Sequence, residues 1–373
     1  MIMSNVKKIK ILNIVGARPN FIKISPLLTE QKRHPDAIEP ILLHTGQHYS
    51  PEMYKEIFDD LELPAPDIYL DVGSGTHAAQ TANIMLKFEP VLLETKPDVI
   101  LVVGDVNSTL ACSLVASKLG IKIAHIEAGL RSGNWRMPEE INRVLTDRLS
   151  DYLYTSEEDA ENNLIKEGIA KDKIHFVGNV MIDTLENFKN KAAARPVKQE
   201  FGLDDYILMT MHRPENVDVK EKLELLLDIV AGLQYPVVFP MHPRTSNLIA
   251  NFGLKQRFDD LKNLKIIRPL GYLDFLNLQM NAKLVMTDSG GVQEETTALG
   301  IPCLTLRSET ERPMTVTCGT NKVIGLNKDA AIKSALDILK QDSHRICKKP
   351  PLWDGHAAER IVADIIRSLA SDE

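Results

Sequence analysis

What most constrains this chain is an alternation sustained from end to end: short, largely apolar, β-branched runs separated by stretches long enough for helices. In the first half the runs are 9–15, 38–44, 99–103, 121–125, 152–154 and 174–177; in the second they are 207–211, 237–241, 265–267, 284–287, 303–306 and 322–324. A strand that is apolar on both faces is buried on both faces, as in a parallel sheet layered between helices. Stretches such as 76–95 and 108–119 supply those helices. Six runs followed by six more exceed one comfortable sheet, and 373 residues are long for a single core. The fold expected is therefore α/β, with two Rossmann-like doubly wound parallel-sheet domains facing a central cleft.

The seam between them is read after Val177. Gly178-Asn179 signals a turn, and residues 183–199 are polar and Lys-rich. That gives an N-terminal domain over 1–178, a C-terminal domain over 179–355, and a last helix within 356–373 that follows Pro350-Pro351-Leu352-Trp353-Asp354-Gly355.

Bulk charge narrows the function. A formal net charge of −7 argues against nucleic-acid binding, which needs a basic face. An anionic substrate has to be held locally, by Arg, Lys and helix N-termini. The four cysteines, Cys112, Cys303, Cys318 and Cys347, form neither a CxxC pair nor a zinc spacing. The apolar stretch 11–15 behind the N-terminal lysines is too short for a signal segment, and nothing nears the ~20 apolar residues of a membrane span. A reduced, cytoplasmic setting without a membrane partner fits this composition.

Parallel sheets bind ligands beyond the carboxyl ends of their strands, and here nearly every such end is polar or charged. The first half offers Gly16-Ala17-Arg18-Pro19 with Lys23 one turn on, Thr45-Gly46-Gln47-His48, Gly104-Asp105, and His125 with Glu127. The second half offers His212-Arg213, His242-Pro243-Arg244, Asp288-Ser289-Gly290-Gly291, and Arg307 leading to Glu311-Arg312. Stability does not call for so many titratable groups at buried edges, because each costs desolvation unless paired. Ser289-Gly290-Gly291 is the most specific signal. Its glycines let the backbone approach an anion, and the helix that follows aims N–H groups at it. Glu295, one turn in, has the reach for a ribose diol.

Taken singly, these residues also have plain structural readings. Gly16-Ala17-Arg18-Pro19 lacks the spaced glycines of a dinucleotide fingerprint and could be a tight turn. Asp105 could cap the helix from Ser108, and Glu127 could pair with Arg131 or Arg143. Glu139, in the first turn after Pro138, could simply serve the helix dipole. His212 and His242 could be hydrogen-bonded structural histidines. No ligand spacing supports a metal, and no Gly-x-Ser-x-Gly surrounds Ser289 to support a hydrolase triad with His212 and Asp105.

Together the motifs resemble the non-hydrolysing UDP-N-acetylglucosamine 2-epimerases, in family order and over nearly the whole chain. The matching elements begin with Gly16-Ala17-Arg18-Pro19 and Lys23, Gln47-His48, Gly104-Asp105, and His125-Ile126-Glu127-Ala128-Gly129-Leu130-Arg131. They continue through Pro138-Glu139-Glu140 with Asn142-Arg143, His212-Arg213, and Asp288-Ser289-Gly290-Gly291 with Gln293-Glu294-Glu295. Glu311-Arg312-Pro313 and Asp354-Gly355-His356-Ala357 complete them. The resemblance implies a GT-B-like pair of Rossmann domains with the C-terminal helix crossing back to the first domain. It also implies a homodimer, a UDP-sugar substrate, and no cofactor or metal. Asp105, Glu127 and Glu139 would be the acid–base carboxylates, with His212 in support. Arg18, Ser289, Gly290 and Glu295 would hold UDP, and Phe275 would contact the uracil. Lys23, Gln47, Arg143, His242, Gly291 and Arg312 complete the candidate substrate-binding set.

The sequence departs from the family pattern in places that bear on the sugar more than on the reaction. The usual Gly-Thr-Arg-Pro-Glu is Gly16-Ala17-Arg18-Pro19-Asn20, Met314 follows Glu311-Arg312-Pro313, and Pro214 stands where many members have a second Arg. The implied route expels UDP from carbon 1, leaves a 2-acetamidoglucal, and re-adds UDP with protonation of carbon 2 from the opposite face. It needs a base, an acid on the other face and a clamp on UDP. A GT-B glycosyltransferase would share the nucleotide site but not the set of carboxylates. Several bacterial members are activated by their own substrate through a Gln-His-Arg stretch. Gln47-His48-Tyr49-Ser50 offers no guanidinium fork, so little or no activation is expected.

Overall fold

The computed structural model describes residues 7–46, 51–340 and 348–370. Its strands are β1 (Ile9–Val15), β2 (Ile38–His44), β3 (Ile68–Tyr69), β4 (Val99–Val103), β5 (Lys122–Ala128), β6 (Tyr152–Thr155), β7 (Ile174–Phe176), β8 (Ile207–Thr210), β9 (Val237–Pro240), β10 (Leu264–Ile267), β11 (Leu284–Thr287), β12 (Cys303–Thr305) and β13 (Asn321–Val323). They form a seven-stranded sheet in the order β3-β2-β1-β4-β5-β6-β7 and a six-stranded sheet in the order β10-β9-β8-β11-β12-β13. Every strand pair is parallel. In each sheet the winding reverses beside the strand that comes first in sequence, between β1 and β4 and again between β8 and β11. These are the switch points where a doubly wound sheet opens a crevice for ligand.

The described residues fall into two compact units, drawn from Met1–Asn187 with Pro351–Glu373 and from Phe188–Pro350. The boundary lies inside the helix Val180–Ala193, within the stretch whose sequence is polar and Lys-rich. In the first unit β4 is buried over its whole length. Ile100 and Val102 pack with Leu12, Ile14 and Leu43 against Ile84, Phe88 and Leu92 of one helix and Ala111, Cys112 and Val115 of the next. Each fully buried Leu, Ile or Val contributes about 1.5–3 kcal/mol by leaving water. The second unit repeats this plan, with Met209, Val237, Phe239, Leu284 and Met286 against Leu223, Leu226 and Val230. The two-residue β3, absent from the sequence reading, has no apolar run to announce it.

The chain's last described segment belongs to the first unit. The Trp353 indole is buried and donates to the Ser156 carbonyl at 3.0 Å. Gly178 has φ +89, and a Cβ there would lie 2.1 Å from the Leu352 carbonyl oxygen, so glycine is required by close approach as well as by the turn. The helix Ala357–Ala370 packs on Arg18–Lys32 through a face including Ile361, Val362 and Ile365. Its N-terminus is capped from elsewhere in the fold: the two oxygens of Asp183 accept the Ala357 and Ala358 N–H groups at 3.1 and 2.7 Å.

Burial pushes the Asp183 carboxyl up to about 6, with the two N–H bonds opposing and the Asp354 charge adding to the rise. The folded carboxyl therefore keeps its proton in a window, about pH 4 to 6, where the unfolded one has lost it. Stability from this group falls as pH rises through that window. Asp183→Asn should remove the dependence, shifting the wild-type-minus-variant stability against the wild type by up to about 3 kcal/mol between pH 4 and 7. Calorimetric melting of both proteins across that range checks it, and a difference that grows in the wild type's favour would refute it.

Candidate active site

At the first switch point, β4 ends in Val103 and the chain turns at Gly104, whose φ is +68. The Gly104 N–H still bonds the Ile126 carbonyl of β5 at 3.1 Å. On β5, Ile126 pairs with Tyr154 and Ala128 with Thr155, which leaves Glu127 as an extra residue. Glu127 carries φ +71, a left-handed backbone that non-glycine residues rarely adopt. A bulge of this kind re-aims one side chain at the cost of local strain, a device common beside active sites. The Glu127 carboxylate meets the Lys23 ammonium in a buried ion pair. A Cβ on Gly104 would stand 3.2 Å from Lys23 Nζ and 3.3 Å from Glu127 Oε2, so the turn lies directly against this pair.

Asp105 follows. Its Oδ2 lies 2.7 Å from Nη2 of the buried Arg143, and the next helix, Asn107–Lys118, has Val106 as its N-cap with no side-chain cap bond. Arg143 also faces Glu140 at 3.3 Å. Glu140 is buried and accepts the Ser132 N–H, the Ser132 hydroxyl and the Gly133 N–H at 2.9, 3.0 and 2.8 Å, pinning the preceding loop. Its neighbour Glu139 is half-buried in the first turn of Pro138–Leu149, and its carboxylate has no hydrogen-bonding or ionic partner among the described residues. The helix Arg18–Lys32 opens with Arg18 at the end of β1. There the departure at Asn20 has a use: Oδ1 accepts the Gly16 and Ala17 N–H groups at 3.0 Å each, while Nδ2 donates to the Val103 carbonyl at 2.8 Å. A glutamate could accept those bonds but could not make the last one.

At the second switch point the organising group is Asp288. It is fully buried and accepts the His212 N–H at 3.0 Å, the Arg213 N–H at 2.9 Å and the Asn216 amide at 3.2 Å. It also lies 3.0 Å from His212 Nδ1. Burial alone would raise this carboxyl; the His212 charge and hydrogen bond and the two backbone N–H groups outweigh burial and hold it below the usual range. The His212 side chain is 47% exposed, so one ring nitrogen is held and the rest of the ring is presented.

Ser289 is the N-cap residue of Gly290–Leu299, with its own N–H bonded to Thr287 Oγ1 at 3.0 Å and no side-chain cap bond. A Cβ on Gly290 would stand 3.0 Å from Glu311 Oε1, and Glu311 is bridged by Arg213 at 3.2 Å and Arg307 at 2.7 Å. Gly291 follows it in the helix, and Arg312 pairs with Glu294 at 2.7 Å. Glu295 is buried and accepts the Tyr272 hydroxyl at 3.0 Å. Phe275 is half-buried on the helix Tyr272–Met280, packed against the apolar cluster that includes Leu278 and Val285. His242 caps the helix Pro243–Asn251, accepting the Arg244 N–H on Nδ1 at 3.2 Å, a structural duty for that ring nitrogen.

Gln47 lies outside the described residues, as does the His48-Tyr49-Ser50 stretch. Lys87 donates to the Leu70 and Asp71 carbonyls at 2.9 and 2.6 Å and so holds the loop after β3. Sequence reasoning did not single out Asp288 as the orienter of His212 or Lys23 as the partner of Glu127. An invariant spacing would not reveal either, since the pairs are 76 and 104 residues apart.

Two Rossmann-like units with clustered carboxylates at one switch point and a glycine-opened helix at the other have the makings of an enzyme of nucleotide-linked substrates. Residues 30–366 match the family UDP-N-acetylglucosamine 2-epimerase. A UDP-N-acetylglucosamine 2-epimerase of Methanocaldococcus jannaschii is 46% identical over 362 residues, covering 95% of this chain and 98% of that protein. A UDP-2,3-diacetamido-2,3-dideoxy-D-glucuronate 2-epimerase of Pseudomonas aeruginosa is 44% identical over 371 residues, covering 96% of this chain and 100% of that protein. The crystal structure of the Methanocaldococcus jannaschii UDP-GlcNAc 2-epimerase in complex with UDP-GlcNAc and UDP matches with a TM-score of 0.90 at 45% identity, over 96% of this chain and 100% of that one. The chain belongs to the UDP-N-acetylglucosamine 2-epimerase family of isomerases and has its GT-B-like fold.

The lowered Asp288 carboxyl sets a stability term of opposite sign to that of Asp183. A depressed folded value means stability that is present above the unfolded value, about pH 4, and is lost as pH falls through the folded one. Asp288→Asn should lower the melting temperature at pH 7 by several degrees, because buried N–H donors at His212 and Arg213 lose a charged acceptor worth roughly 1–3 kcal/mol. The gap between the proteins should close toward pH 3 on the same linkage. Differential scanning calorimetry at both pH values checks this.

Proposed function

We propose that the chain is a non-hydrolysing 2-epimerase interconverting UDP-N-acetylglucosamine and UDP-N-acetylmannosamine. The observation that carries the reading is the strained Glu127 bulge. A left-handed glutamate, paired with a buried lysine against the Gly104 turn, has no stabilising purpose that an ordinary strand residue would not serve better. Asp105 follows the end of β4, beside β5, and Glu139 stands in the first turn of the helix Pro138–Leu149. Carbon 2 of a 2-acetamido sugar has no adjoining carbonyl, so its proton becomes removable only as UDP leaves carbon 1. Elimination gives a 2-acetamidoglucal, and re-addition of UDP with protonation from the other face inverts the centre.

In this reading Asp105, Glu127 and Glu139 move protons, His212 supports them on its Asp288 anchor, and Arg18 with the Ser289-Gly290 helix opening and Glu295 hold UDP. Lys23 and Arg143 orient the carboxylates they pair with. A homodimeric, cytoplasmic enzyme is the setting the family suggests; among the described residues no helix is long and apolar enough to cross a membrane. A second reading, a 2-epimerase of a modified UDP-2-acetamido sugar, is favoured by the Pseudomonas aeruginosa relative, whose 44% identity is near the 46% of the Methanocaldococcus jannaschii protein.

Purified protein in deuterated water should convert UDP-N-acetylglucosamine to its 2-epimer with deuterium at carbon 2, followed by NMR. Conversion only of a diacetamido uronate would select the second reading, and product without solvent deuterium would sink the proton-transfer route. Asp105→Asn, Glu127→Gln and Glu139→Gln should each cut kcat by about 10²-fold or more with UDP affinity kept. Ser289→Ala and Glu295→Ala should chiefly weaken UDP binding. Rates from the 2-epimer should follow a simple hyperbola without priming by UDP-N-acetylglucosamine.

A further inference from the structure

One buried carboxylate has no part in the chemistry above. Asp147, on the helix Pro138–Leu149, divides its two oxygens between the ends of β4 and β5. Its Oδ1 lies 2.7 Å from Nδ1 of the fully buried His125, whose Nε2 is 2.9 Å from the Gly104 carbonyl oxygen. Its Oδ2 accepts the Gly129 N–H at 3.1 Å and lies 2.7 Å from Arg131 Nη1. Gly104 immediately precedes Asp105, and Gly129 stands two residues after Glu127. Gly129 has φ +81, and a Cβ on it would meet the Ala160 carbonyl oxygen at 2.4 Å, so its backbone has one place to be.

The tie falls where ordinary sheet bonding stops. The last register pair between β4 and β5 is Val103 with Ile126, and the Gly104 N–H adds one bond to Ile126. Past that point, among the described residues, no further β4–β5 ladder pair sets Asp105 against Glu127. Both His125 nitrogens are held by oxygens, so the imidazole is a rigid spacer between Asp147 and the Gly104 carbonyl. We propose that Asp147 is a positioning residue: through His125 it fixes the Gly104 turn, through the Gly129 N–H it fixes the Glu127 bulge, and so it sets the spacing of Asp105 and Glu127. The proposal rests on the reading of those two carboxylates as catalytic. Misplacement of a reacting group by about 1 Å can cost on the order of 10²-fold in rate, which is the scale at stake.

Asp147→Asn keeps the side-chain volume but cannot accept on both sides, since its amide nitrogen must face either His125 or the Gly129 and Arg131 donors. The expected result is a fall in kcat of about 10- to 100-fold, with KM and calorimetric UDP affinity changed less than about two-fold. Glu167→Gln, which breaks only the outer pair with Arg131 at 2.8 Å, should lower the melting temperature and leave kcat within about two-fold. With 15N-labelled histidine and no substrate, wild-type protein should show a protected N–H at both His125 nitrogens, and Asp147→Asn should shift the Nδ1 signal. Unchanged kcat in folded Asp147→Asn, a rise in KM alone, or a missing ring N–H in the wild type would overturn the inference. If Asp147→Asn does not fold, His125→Asn carries the same kcat-against-KM test. Wild-type protein that turns over no UDP-2-acetamido sugar would overturn the functional reading instead, and the substrate-free NMR arm tells the two failures apart.

Discussion

The arrangement of side chains at the end of β5 depends on one backbone conformation, the left-handed Glu127. Without it β5 would pair in register with β6 to its end, and Glu127 would point to one face of the sheet like any strand residue. With it, the carboxylate meets Lys23, and the pair packs against the Gly104 turn, where a side chain would be strained and would crowd both groups. The strain is opposed by several independent contacts: the Lys23 ion pair, the Gly129 N–H on Asp147 and the Gly104 N–H on Ile126. A conformation this unfavourable persists only when its surroundings over-determine it.

The second unit reaches a similar end by other means. Asp288, rather than a bulge, gathers the loop after β8 by taking two backbone N–H groups, an amide and an imidazole. Its charge is tolerated in a fully buried site because donors surround it, whereas Asp183, with two backbone donors and the Asp354 charge nearby, is pushed the other way. Burial is the largest single cause at both carboxylates, and the number and charge of their donors decide whether it prevails.

Much of this was legible in the order of residues. Each sheet's strands coincide with apolar runs to within a few residues, because burial on both faces leaves a continuous signal that solvent-facing strands lack. β3 escaped because two residues on a sheet edge need no such run. The groups at the strand ends were legible as well, since the carboxyl-end rule follows from sheet topology alone. Their partners were not. Glu127, for instance, could have been a partner of Arg131 or Arg143. The fold gives Asp105 to Arg143, Glu127 to Lys23 and the His242 Nδ1 to its own helix.

The sequence by itself determined a parallel α/β architecture in two halves, a phosphate-suited helix opening at Ser289-Gly290-Gly291, and a family whose motifs run in order along the chain. Those properties depend on local composition and short spacing, where each residue's preference is visible beside its neighbours. Only the tertiary structure decided which charges meet, that Glu127 is left-handed, that Asn20 ties β1's turn to the end of β4, and that Asp147 links two strand ends. Ion pairs and buried hydrogen bonds form between residues brought together from distant parts of the chain, and their energy depends on burial that no local pattern records.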